Sequence, residues 1–172
     1  MRVQQGLLFW LTVCCLISCG GDDAPSDDPP AAEGSYEDVA ALLGVGESRG
    51  STCALASCHG ASGEGELSLP PGADLRALLV DVPACEAPGL SLVKPGAPDE
   101  SWLWIKLNGE IEDEDSGDLV VDPKWGEPGT NCRGADGFGK RMPRVAPFRL
   151  APSSLATIRA WIANGAPGPS DD

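Results

Sequence analysis

Apolar and polar positions divide this chain into one continuous apolar run and several short amphipathic stretches. The continuous run, from Gly6 to Ile17, follows a single charge at Arg2. It is too short to span a bilayer as a helix and has the form of the apolar core of a secretory signal. Further along, Ser35 with Asp38 three residues on forms a capping box, and Val39, Leu42 and Leu43 continue a helical face to Gly44. A second helix is expected over 73–80. A third follows Pro98 and Asp99 through Trp102, Leu103, Ile105 and Leu107, where the period also allows a strand. The clearest pattern comes last. Pro152 suits a first helical position. Leu155, Ile158 and Ile162 then share a face beside Trp161, and Asn164-Gly165 with Pro167 supply the stop. Between the third and fourth patterns, 109–140 reads as a long loop, acidic first and then rich in glycine. Four short helices joined by long loops predict a small all-α domain.

The apolar run ends in Leu16-Ile17-Ser18-Cys19-Gly20, which resembles the bacterial lipobox. That resemblance implies cleavage before Cys19 and a lipid on its thiol. The predicted divisions are a lipoprotein signal peptide over 1–18, an acidic tether over 19–34, one domain over 35–167, and an acidic tail over 168–172. The tether has Pro25, Pro29 and Pro30 and no large apolar side chain, so it lacks the means to bury a core. The formal charge of −14 excludes electrostatic binding to nucleic acid or to an anionic membrane surface. It suits a partner with a basic patch, or serves solubility alone.

Export changes the meaning of the seven cysteines. Cys14 and Cys15 leave with the signal, Cys19 takes lipid, and Cys53, Cys58, Cys85 and Cys132 remain in an oxidising compartment. Cys85 and Cys132 read most simply as a disulfide pinning the long loop to the body. A thiol redox pair would need cysteines close in sequence. The other two open Cys53-Ala54-Leu55-Ala56-Ser57-Cys58-His59-Gly60. Two cysteines followed directly by histidine form the attachment pattern of c-type haem, with the thiols as thioether donors and the histidine as proximal ligand. The usual spacing places two residues between the cysteines, and this chain has four. On a helix, residues three apart lie about 60° from one another and residues five apart about 140°. The extra pair must therefore bulge if both sulfurs are to face one ring. Gly60 is expected to leave room for that ring.

After the signal departs, His59 is the single histidine and Met142 the single methionine. Met142-Pro143 resembles the distal segment of small cytochromes c, where proline stiffens the backbone that presents the sulfur. With the helix from Ser35, the Cys53/Cys58/His59 motif and the closing segment Trp161-Ile162-Ala163-Asn164-Gly165-Ala166, the chain resembles a bacterial monohaem cytochrome c carried on a lipoprotein signal. The segments Val93-Lys94-Pro95-Gly96-Ala97-Pro98 and Ser101-Trp102-Leu103 look like the connecting part of such domains.

The resemblance implies a cytochrome c-like helical fold with its first and last helices crossing. It also implies one covalent haem c, with iron held by His59 and Met142. The function implied is one-electron transfer rather than catalysis, since both axial positions are filled. A basic redox protein would be the partner, and a lipid anchor would hold the chain in the cell envelope. Gly20 after Cys19 leans towards the outer membrane. Oligomeric state is not legible. Two other readings stay open. In one, Cys53–Cys58 and Cys85–Cys132 are two disulfides of a haem-free binding or assembly lipoprotein. In the other, Cys53, Cys58, His59 and Met142 bind copper, although the second histidine of blue-copper sites is missing.

Overall fold

The computed structural model describes residues 34–45, 53–144 and 149–169. The expected signal, Cys19 and the tether as far as residue 33 lie outside the described residues, as do 170–172.

Among the described residues there are four short α-helices: α1 (Tyr36–Leu43), α2 (Leu75–Leu79), α3 (Trp102–Asn108) and α4 (Pro152–Ala163). Local chemistry sets their ends. The Ser35 hydroxyl accepts from the Asp38 amide at 3.1 Å, and Gly44 closes α1 in the left-handed region. Asp74 caps α2 through the Arg76 amide. Pro152 opens α4, where its missing N–H costs nothing.

α1 packs on α4. Val39 and Leu43 from the first helix meet Ile158, Trp161 and Ile162 from the last in the main buried cluster, together with Leu69, Leu75, Leu79 and Val93. α3 lies between this cluster and a second one. Trp104 and Leu107 belong to the first, and Trp102 and Ile105 to the second. A helix buried on two sides is apolar nearly all round, which is why its sequence period left strand and helix equally open.

The second cluster is built by the long loop. Leu119, Trp125 and Phe138 pack on Trp102, with Trp102–Trp125 centroids 5.2 Å apart and Trp125–Phe138 centroids 5.3 Å apart, both edge to face. Single antiparallel bridges at Ile111–Leu119 and Asp118–Lys140 shape the loop. A disulfide between Cys85 and Cys132, 47 positions apart, fastens it to the body.

The expectation of an all-α, cytochrome c-like helical domain does not hold. The α-helices and three 3-10 turns together cover only about a third of the described residues. Turns and isolated bridges, among them Val80–Val93, Pro83–Ser91 and Ser91–Ser101, make up much of the remainder. The physical reason lies in the 22 glycines and 16 prolines of the chain. Proline ends a helix and glycine weakens one, so each helical pattern is cut short and the intervening chain folds as irregular walls.

Ile158 is fully buried between α1 and the core. Ile158→Ala should lower stability by about 2–5 kcal/mol, read from the urea midpoint. Cys132→Ser should lower it by about 4 kcal/mol through the larger entropy of the unfolded chain.

Candidate functional site

The segment from Cys53 to Gly60 is a compact turn rather than a helix. The His59 amide donates to the Cys53 carbonyl at 3.1 Å, closing a loop of seven residues. The Leu55 carbonyl accepts from both Cys58 and Gly60 at 2.9 Å. Leu55 stands half exposed between the cysteines and, with Ser57, also borders the cavity that the cysteines line. The rim continues in the same way: the Ser62 hydroxyl donates to the Cys58 carbonyl at 2.6 Å, and the Leu69 amide donates to the His59 carbonyl at 2.5 Å.

Gly60 has a steric reason of its own in the turn. A Cβ there would lie 2.7 Å from the Ala54 carbonyl oxygen and 2.8 Å from that of Leu55. The glycine is required within the turn itself, because the chain folds back against its own Ala54 and Leu55 carbonyls.

His59 is oriented by its own chain. Its Nδ1 lies 3.3 Å from the Leu67 carbonyl. A carbonyl only accepts, so the bond places the ring proton on Nδ1. Nε2 then carries the lone pair, in the tautomer a metal-bound histidine needs.

This side chain faces a cavity of about 470 Å³, within the range of small-molecule and cofactor sites. Cys53, Cys58, His59 and Met142 all line it. Residues 83 positions apart in sequence, His59 and Met142, therefore share one chamber. Its remaining wall is largely apolar, with Leu43, Leu67, Leu69, Leu92, Leu103 and Leu107 contributing. Met142 is hung from α3 through its amide, which donates to the Lys106 carbonyl at 2.6 Å. Cys85 reaches the wall as half of its disulfide, whereas Cys132 does not line the cavity.

Sequence reasoning missed the polar part of this wall. Glu86 and Lys106 are 7 % and 6 % exposed and form an ion pair at 3.0 Å. Trp102 Nε1 donates to Glu86 at 2.9 Å. Burial pulls the Lys106 ammonium below its ordinary pKa, the Glu86 carboxylate offsets part of that, and the Arg144 charge adds to the lowering. One signal was available: Lys106 is the lone charge in the run from Trp102 to Leu107.

The donor set fits a haem of the c type. It offers two cysteine sulfurs, an imidazole with its lone pair free, a thioether and an apolar chamber of suitable size. Among the described residues there is no group of three or more His, Cys, Asp and Glu able to hold a metal ion. A porphyrin needs none, since its own nitrogens supply four ligands. Nor is any described helix long and apolar enough to cross a membrane. No protein-family model matches the chain, and comparison with curated proteins and with solved structures finds no match.

Gly60→Ala should destabilise the protein by about 1–3 kcal/mol, the cost of forcing a methyl into a closed contact. Thermal unfolding measures it. A neutral result would mean that the turn opens freely.

Proposed function

We propose that this chain is a membrane-anchored c-type cytochrome that carries single electrons in the bacterial envelope. One observation supports the reading above the others. The two cysteines, the histidine and the methionine singled out in the sequence line the same apolar cavity. The His59 tautomer adds to it.

A haem bound there supplies a ferric/ferrous couple. The chain's own residues would attach it through Cys53 and Cys58, hold His59 in register through Leu67, present the Met142 sulfur, and keep water from the chamber with leucine side chains. A thioether ligand favours the reduced state and raises the potential. With His59 and Met142 both committed to holding the group, the chain would act as a carrier rather than a catalyst. Its net charge of −14 suits a basic redox partner, whose encounter rate falls as salt screens the attraction. A lipid on Cys19 would confine this exchange to a membrane surface.

The test is a pyridine haemochrome spectrum of the denatured protein, purified from a host with haem c maturation machinery. A covalent haem signal is expected, and its band position reports whether one thioether or two have formed. Folded protein without covalent haem would overturn the proposal in favour of a binding or assembly lipoprotein. Within the same proposal, His59→Ala should abolish the low-spin spectrum. Met142→Ala should keep the haem, lower the potential and open the iron to added ligands. An unchanged potential in that variant would remove Met142 from the site.

A further inference from the structure

The segment that delivers Met142 to the cavity lies across a buried ion pair. Lys106 Nζ is 3.0 Å from Glu86 and also donates to the Phe138 carbonyl at 3.1 Å. Gly139 then crosses the pair so closely that a Cβ would lie 2.5 Å from Glu86 Oε1 and 2.8 Å from Lys106 Nζ, in a backbone of φ +64°. The Arg141 amide is tied to the Gly117 carbonyl at 2.9 Å, and the Met142 amide to Lys106's own carbonyl at 2.6 Å. One lysine thus grips the segment at both ends, with its ammonium at 138 and its carbonyl at 142.

Stability alone gives little reason for such a pair. Removing two charges from water offsets most of their attraction, and well-packed apolar side chains of the same volume often serve as well or better. What the pair supplies is direction. The Glu86 carboxylate is fixed by Trp102 Nε1 and follows the disulfide-bonded Cys85. The ammonium between Glu86 and Phe138 therefore has one place to be.

We propose that the buried Glu86–Lys106 pair is a clamp that positions Met142, fixing the reach of its sulfur into the cavity it shares with His59 and so setting how firmly that sulfur would hold the haem iron. This rests on the haem reading above. Glu86 and Lys106 are positioning residues, acting through the segment 138–142.

The test compares the full-length protein from the maturation host with the double variant Glu86→Gln/Lys106→Met, with Gly139→Ala, and with Leu79→Ala as a core control outside the cavity. In the double variant the glutamine keeps an acceptor for Trp102, and the methionine keeps most of the apolar stem of the lysine, so the pair is lost without stranding a charge. Optical titration measures imidazole binding to the ferric protein, and hydrogen exchange measures opening at the Met142 amide. The double variant should retain covalent haem and bind imidazole about tenfold more tightly, because the ligand-open state is more populated. The Met142 amide should exchange about tenfold faster. Gly139→Ala should move both in the same direction, whereas Leu79→Ala should weaken the fold and move neither.

Wild-type imidazole affinity and Met142 exchange in the double variant, with haem attached, would overturn the clamp. A wild-type protein without covalent haem would instead bring down the haem reading. Exchange at Met142 would then decide the clamp alone: faster in the double variant upholds it as a hold on the segment, and unchanged removes it.

Discussion

An ammonium cannot enter an apolar interior without a counter-charge and a full set of acceptors. Lys106 lies in the middle of α3, which is buried between two hydrophobic clusters, so its charge has nowhere on the helix surface to escape. Much of the irregular half of the molecule can be traced to that demand. Glu86 supplies the carboxylate and the Phe138 carbonyl supplies a further acceptor. Glu86 sits next to Cys85, whose disulfide brings in Cys132, and Arg133 beside it reaches back to the Ser62 carbonyl on the rim of the cysteine turn. A single buried charge thereby connects the helix, the long loop and both sides of the cavity. Removing one partner alone would leave the other stranded, at a cost of about 3–5 kcal/mol.

Leucines from several separate segments coat the cavity; Trp102 lines it as well and packs edge to face on Trp125. The clusters on its two sides meet through α3, which contributes Trp104 and Leu107 to one and Trp102 and Ile105 to the other. Hydrogen-bonded turns and the Cys85–Cys132 disulfide carry the rest of the wall, so its shape depends on long-range ties as much as on helix packing.

The helices were legible because their signals are local. Ser35 with Asp38, and Pro152 with Asn164-Gly165, state their own boundaries, and α1 and α4 run where those residues place them. Fold class was not legible in the same way. Four short helical patterns suggested an all-α domain, but how much of a chain is helical depends on what the stretches between patterns do. In this chain those stretches hold single bridges and turns whose pairing is set at long range. The site divides along the same line. Cys53, Cys58, His59 and Met142 could be named from residue type and order, and they line one cavity. Glu86 could not, because nothing within a few residues of it hints that Lys106, 20 positions on, requires a partner.

The wide cysteine spacing shows how a sequence argument can be sound and still rest on a premise the chain does not meet. Five residues on a helix place two sulfurs on nearly opposite faces. That objection holds only while the segment is helical. Here the backbone leaves helical geometry: His59 N–H bonds to the Cys53 carbonyl, Leu55 accepts twice, and Gly60 makes room for the chain to fold against itself. Once the turn closes on seven residues, the angle per residue no longer decides where the sulfurs point. Both cysteines line the cavity beside His59, and Leu55 and Ser57 between them border it too while staying exposed to solvent. Gly60 leaves the room that this fold-back needs, since a Cβ there would press on the Ala54 and Leu55 carbonyls.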